Sequence, residues 1–88
     1  MPLVHQILAR HELTGNDLKR IRTKLGVSLE RIAQETKVRI ALLRSIEEDQ
    51  FDELPSRFHL RGFLKSYAQC LRLDPQAVAT KYMQRIQP

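Results

Sequence analysis

The 88-residue sequence lacks most of the features on which metalloproteins, secreted scaffolds and nucleotide-binding enzymes are built. Its single cysteine, Cys70, excludes a disulfide within the chain, and its three histidines fit no metal-ligand spacing. With only three glycines it has no glycine-rich phosphate loop. The longest apolar run is the four residues 40–43, whereas a membrane span needs about 20. Residues 3–9 are interrupted by His5 and Gln6, so no secretory signal is expected and an intracellular, cytoplasmic setting is favoured.

The arrangement of the polar residues does not predict catalysis. Adjacent carboxylates such as Glu47 and Glu48 point to different faces of a helix and cannot converge on one bond. Cys70 lies eleven residues after His59 in one predicted helix, about 16 Å away at ~1.5 Å per residue, too far for a nucleophile and its base. We therefore expect no enzyme, no cofactor and no metal, and we expect Cys70 to be a small buried hydrophobic residue.

What the chain does have is the composition of one soluble domain with an excess of positive charge. Forty-two per cent of its residues are hydrophobic and 28% are charged, and the net charge is +5. Eight basic residues fall within 19–44, and five acids within 47–53. This charge suits nucleic acid, anionic lipid or an acidic protein face. Ordinary solvated helix faces are an equally good interpretation of the same pattern.

Helix start and stop signals predict an all-α fold of five helices. Thr14, Ser28 and Asp74 are expected to cap helices, Gly26 to end one, and Pro75 to open the last. The predicted helices cover 14–25, 29–36, 39–48, 56–72 and 75–87. Residues 14–88 form the predicted domain, and residues 1–13 an N-terminal extension or linker. Alternatively, Leu3, Ile7 and Leu8 line a short additional helix in that segment.

The second and third predicted helices are separated by a tight break, which predicts a helix-turn-helix. The residues that carry this pattern are Gly26, Ser28, Ala33, Val38, Ile46 and Glu47. Their spacing resembles the repressor-like class of phage and bacterial helix-turn-helix proteins. We therefore expect a compact five-helix domain of repressor-like fold.

The second half of the chain identifies the branch of helix-turn-helix proteins more closely. Its distinctive parts are Ile46-Glu47, Phe51, Leu54-Pro55, Arg61-Gly62-Phe63-Leu64 with Tyr67-Ala68, and Leu73-Asp74. Over roughly residues 13–86 the chain resembles the RodZ-type helix-turn-helix module. The resemblance implies the cytoplasmic head of a single-span membrane protein that binds the actin-like filament protein MreB. Because such modules are also fused to other domains, including J-domains, it identifies the module better than its parent protein.

A DNA-reading helix needs polar side chains on its outward face. By resemblance to phage repressors, the base-reading positions would be Ile40, Ala41 and Ser45, and two of these carry no hydrogen-bonding group. Lys37, Arg39 and Arg44, with Lys19 and Lys24, would bind phosphate without selecting a sequence. Three interpretations of the third predicted helix stay open. The preferred one is that it only packs in the core, the second is weak binding to phosphate, and the least favoured is recognition of a DNA sequence.

The long fourth predicted helix carries the candidate protein-binding residues. Phe63 and Tyr67 lie four residues apart near one edge of its apolar arc, either in the core or as a half-exposed anchor strip. The resemblance favours the anchor strip. Within the strip we expect Tyr67 to be half-exposed and Phe63 to reach the core. Flanking basic residues would suit an acidic filament face; they are Arg57, Arg61 and Lys65. Phe58 is either a further anchor or packs on the connector before the helix.

Arg22 and Glu47 are predicted to form an internal ion pair, because repressor-like folds commonly pair these positions. The sequence thus favours a monomeric protein-interaction adaptor that docks an MreB-like filament and makes no membrane contact of its own. The alternatives are a DNA-binding regulator domain, or a regulatory module of a larger membrane-anchored or J-domain-fused protein.

Overall fold

Six α-helices and one short 3-10 turn form the part of the chain that the computed structural model describes, residues 2–86. The helices are α1 (Pro2–Leu8), α2 (Gly15–Lys24), α3 (Leu29–Thr36), α4 (Ile40–Glu47), α5 (Arg57–Cys70) and α6 (Pro75–Met83), with the 3-10 turn at Phe51–Glu53 between α4 and α5. No strand occurs among these residues, so the all-α prediction is confirmed. The count of five helices was one too few. The last helix ends at Met83, earlier than the predicted end at about Gln87, which itself lies outside the described residues.

The additional helix is α1. It lies in the segment predicted as an extension or linker, and it corresponds to the alternative interpretation, a short helix in that segment. Val4 and Ile7, three residues apart, are buried and pack against α2, while Leu3 and Leu8 are half-buried. Leu13, in the connection that follows, is also buried, and its backbone N–H donates to the Lys81 carbonyl at 3.2 Å. A helix of two turns offers few periodic positions, so the sequence pattern alone could not decide between the helix and a linker.

The helix boundaries follow the capping chemistry that the sequence predicts. Thr14 accepts a hydrogen bond from the Asp17 N–H while the Asp17 carboxylate accepts one from the Thr14 N–H, a complete capping box. Ser28 caps α3, and Asp74 caps α6 ahead of Pro75. Gly26 has a φ of 73°, the left-handed conformation expected after a helix.

The core lies between α5 and the remaining helices. α5 packs on α3 and α6, while α2 packs on α1 and α4, so the last two helices close over the first four. The largest side chains with no solvent exposure are Tyr67 and Tyr82. Each also makes a hydrogen bond through its hydroxyl, that of Tyr82 being donated to the Ile46 carbonyl at 2.9 Å.

The start of α2 rests directly on the end of α4. Gly15 is buried, and a Cβ atom there would lie 2.1 Å from the Ile46 carbonyl oxygen. Asp49 accepts a hydrogen bond from the Gly15 N–H at 2.9 Å and pairs with Arg85 of the turn after α6 at 2.8 Å. Asp49 therefore joins the ends of α2, α4 and α6.

Candidate protein-interaction site

The outward face of α4 and of the turn before it offers few groups for reading bases. Ala41 and Arg44 are exposed and Ile40 is half-buried, so this face carries both apolar and basic side chains. Ser45, however, is 8% exposed, and its hydroxyl donates to the Ala41 carbonyl at 3.1 Å. The placing of Ser45 on a base-reading surface was wrong, because the side chain bonds back to its own helix.

We expect this domain to show no sequence-selective affinity for DNA. The exposed cations Lys37, Arg39 and Arg44 can meet phosphate, but Ile40 and Ala41 cannot hydrogen-bond a base edge. Titration of labelled duplex pools at ~0.15 M salt should give weak binding that falls steeply as salt is added. A selected site bound with a selectivity above ~10³ would contradict this prediction.

An open groove of about 500 Å³ runs between the first half of α5 and the turn that joins α3 to α4. Phe58, 83% exposed, and the half-buried Phe63 contribute its aromatic groups. Its basic groups are Lys37, Arg61 and Lys65, and no acidic side chain lines it. We call this the α5 groove. It combines an apolar anchor with a cationic rim.

The apolar surface continues past His59 and Phe63 into a second depression. That depression is lined by Val38, Leu42, Leu54 and Pro55 beside the same His59 and Phe63, with Lys37, Arg39 and Glu53 at its margin. The two depressions share four residues, Lys37, Val38, His59 and Phe63, so the apolar strip extends from α5 to the connector before it. Phe58 thus stands in solvent rather than packing on that connector.

His59 was not selected from the sequence, yet it lies at the centre of this surface. Its ring meets Phe58 edge-on, with 5.5 Å between the ring centroids, and its Nδ1 is 2.9 Å from the Ser56 hydroxyl. A lone histidine in an amphipathic helix carries no sequence signal for such a role. Only the position of α5 against the α3–α4 turn brings it between the two depressions.

Arg57 does not join the groove. Its Nη1 donates to the Ile86 carbonyl near the end of the described chain, which turns the guanidinium towards α6. Arg61 lines the groove but also reaches Thr80 of α6, 3.5 Å from the hydroxyl oxygen. Of the three predicted flanking cations, Arg61 and Lys65 therefore border the groove and Arg57 does not.

Tyr67 is a core residue rather than an exposed anchor. It has no solvent exposure, and its hydroxyl donates to Glu47 Oε2 at 2.6 Å, with the Leu18 carbonyl oxygen 3.2 Å away. The prediction that Tyr67 is the more exposed of the two aromatics was wrong, since Phe63 is the one at the surface. Both lie near one edge of the apolar arc, but Tyr67 is buried where its hydroxyl meets Glu47 of α4 and the Leu18 carbonyl of α2.

The Tyr67 hydroxyl completes a buried network with Arg22 and Glu47. Arg22 binds the Glu47 carboxylate through two nitrogens, at 2.7 and 3.0 Å, and donates to the Val27 carbonyl at 2.9 Å. Burial raises the pKa of Tyr67, as does the neighbouring Glu47 carboxylate, so the phenol stays a neutral donor. The hydrogen bonds that Arg22 donates to the Glu47 carboxylate raise the pKa of Arg22, which stays charged. The network joins α2, α4 and α5.

Cys70 is half-buried rather than part of the core. Its thiol donates to Glu35 Oε1 at 3.3 Å, and Glu35 in turn pairs with Arg31 at 2.7 Å. Burial raises the pKa of Cys70, and the bond to Glu35 adds to this, which makes the thiol a poor nucleophile. No three potential ligands converge to hold a metal ion anywhere in residues 2–86.

Comparison with known families defines the class of protein. A family model described as a helix-turn-helix domain matches residues 17–78, and the chain belongs to that family. No solved structure matches the chain.

Within that class the chain is a RodZ-type module, which confirms the resemblance seen in its sequence. It is 38% identical over 73 residues to the cytoskeleton protein RodZ of Streptococcus pneumoniae (strain ATCC BAA-255 / R6), a match that covers 83% of this chain and 26% of RodZ. It is also 35% identical over 48 residues to the uncharacterized membrane protein YmfM of Bacillus subtilis (strain 168), covering 54% of this chain and 17% of YmfM. The chain thus spans about a quarter or less of these relatives. No helix among its described residues has the length and apolar character to cross a membrane.

Proposed function

We propose that this chain is a cytoskeletal adaptor module that docks an actin-like filament protein of the MreB type through the α5 groove. The likeness to RodZ, named a cytoskeleton protein, supports the class of partner. The observation that carries the proposal is Phe58, which leaves 83% of its surface in water beside Phe63 and three cations. A large exposed aromatic with a basic surround is typical of an interface anchor.

Charge supports the same surface. Lys37 projects from the α3–α4 turn, and Arg61 and Lys65 project from α5, so cations stand on both walls of the α5 groove. An acidic filament face would be steered towards this groove, which raises the association rate more than the final affinity. The aromatic contacts would then slow dissociation. We therefore expect binding to weaken with salt without being abolished by it.

The experiment is co-sedimentation with polymerised MreB-like filaments, run beside a melting curve for each variant. Phe58→Ala and Phe63→Ala should each weaken binding about 10-fold or more, near 1.4 kcal/mol. Phe58→Ala should leave the melting temperature almost unchanged because its ring is exposed. Phe63→Ala should lower it modestly, because a half-buried ring leaves only a partial cavity.

Phe51→Ala is the matched control. Phe51 is the other exposed phenylalanine, 40% exposed, and it lies outside the α5 groove against Tyr82 and Arg85. Its removal should cost some stability and leave filament binding intact. Equal losses of binding in Phe51→Ala and Phe58→Ala would mean that the α5 groove is not the docking site.

The setting we propose is the cytoplasmic side of a longer, membrane-anchored protein. Both relatives are much longer than the matched segment, and one of them is named a membrane protein. Membrane fractionation of cells that produce the native gene product tests this placement. Recovery of the whole native product in the soluble fraction would contradict it.

A further inference from the structure

A second groove, of about 460 Å³, lies between α1 and α2. The half-buried Leu3 supplies its apolar floor, and the long aliphatic stems of basic side chains border it. Its lining residues are Leu3, Asn16, Lys19, Arg20, Thr23 and Lys24. We call this surface the α1–α2 face. It forms because α1 packs beside α2, a contact that the sequence pattern did not predict.

No acidic side chain is exposed on the outward side of α2. Its one carboxylate, Asp17, is 4% exposed and is occupied by the Thr14 cap and Arg10. Lys19 and Lys24 are exposed and have no ion-pair partner within residues 2–86, while Arg20 has only a distant contact, 3.9 Å, with Asp17. The α1–α2 face therefore presents cations that make no close ion pair among the described residues, and only Lys19 also borders a depression that acidic side chains line, those of Glu30, Glu47 and Glu48.

We propose that the α1–α2 face binds an anionic lipid membrane surface. Lysine and arginine at the rim would meet lipid phosphates, and the apolar floor at Leu3 would lie at the headgroup boundary. A nucleic acid backbone would bind the same cations. Its phosphates and sugars are polar, however, so they would not be stabilised by the apolar floor beside those cations. This assignment replaces the expectation, drawn from the sequence, that the segment makes no contact with a membrane.

The two surfaces can be occupied together. α2 buries Leu18 and Ile21 on its inner side and turns Lys19 and Lys24 outward. α5 meets α2 across the core, where the Tyr67 hydroxyl approaches the Leu18 carbonyl. The outer faces of α2 and α5 are thus on different sides of the molecule. A module resting on lipid through α2 would keep the α5 groove open.

The test is vesicle co-sedimentation of the 88-residue chain at ~0.1 M salt, without any filament protein. Vesicles of phosphatidylglycerol and phosphatidylcholine should bind the chain, and vesicles of phosphatidylcholine alone should not. The double substitution Lys19→Glu with Lys24→Glu should reduce the partition coefficient at least ~10-fold, because each lysine near an anionic membrane surface contributes to the binding free energy. Lys37→Glu with Lys65→Glu changes the net charge equally on the α5 groove and should reduce it less than ~3-fold. A melting curve shows that each variant is folded, and Lys19→Gln with Lys24→Gln replaces the first pair if it is not.

Three results would overturn the proposal. Equal losses in the two charge-reversed pairs would show that net charge alone attracts the chain. Equal binding to both vesicle types would remove the role of the anionic headgroup. Failure to bind vesicles, with duplex DNA bound through Lys19 and Lys24, would assign the face to nucleic acid. Because no filament is present, none of these results bears on the α5 groove.

Discussion

Gly15→Ala is expected to cost this domain about 3 kcal/mol or more, enough to leave it largely unfolded if its total stability is ordinary. The added Cβ would sit 2.1 Å from the Ile46 carbonyl oxygen and 2.6 Å from the Glu47 carbonyl carbon. Both are backbone atoms at the end of α4, and they cannot rotate away as a side chain would. Urea unfolding followed by circular dichroism measures the loss.

Gly62→Ala is the control for the first prediction. Gly62 is exposed within α5, and a Cβ there meets nothing within 4 Å. Alanine should therefore raise the free energy of unfolding by about 0.5–1 kcal/mol through its better helix propensity. Opposite signs for the two substitutions are the expected result. A tolerated Gly15→Ala would mean that α2 does not rest on α4 as closely as described.

Glu47→Ala should destabilise the domain by about 3–5 kcal/mol. The substitution leaves the half-buried Arg22 guanidinium without its carboxylate partner and the buried Tyr67 hydroxyl without its acceptor. Tyr67→Phe, which keeps the ring and removes only the hydroxyl, should cost less, about 1.5–3 kcal/mol. Thermal and urea unfolding of the two variants measure the difference.

A double-mutant cycle identifies the pair behind this loss. Arg22→Ala combined with Glu47→Ala should be less destabilising than the sum of the single substitutions, by about 1–3 kcal/mol, because each single change strands the other charge. Strict additivity would mean that the two side chains are not coupled in solution. The contact at 2.7 Å would then contribute nothing to folding.

The features that the sequence predicted well are the local ones. The Thr14 and Asp17 capping box, the Ser28 and Asp74 caps and the left-handed Gly26 each depend on a few neighbouring residues. Their hydrogen bonds are made within one turn of the helix end, so no tertiary contact has to be known. These signals place both ends of α2 and the starts of α3 and α6 to within a residue of the structure, whereas α4 and α5 begin without a side-chain cap.

What the sequence could not decide is which edge of a helix faces the rest of the molecule. Phe63 and Tyr67 lie one turn apart on α5, yet Tyr67 is sealed by Glu47 and Leu18, from α4 and α2, while Phe63 faces the α3–α4 turn. Their exposures are set by contacts from residues 20 or more positions away. Ser45 is a similar case, because nothing in its spacing shows that its hydroxyl binds Ala41.

The contacts that Arg85 makes at the end of α6 have a mechanical consequence. Its guanidinium binds Asp49 at 2.8 Å and the Leu13 carbonyl at 2.7 Å, partners 36 and 72 residues away in the sequence. A pulling force on the chain at the end of α6 would therefore not detach that helix alone. Through Arg85 the force would also act on the turn after α4 and on the segment before α2. Tension at that point would therefore be resisted by contacts with segments from the beginning and the middle of the chain.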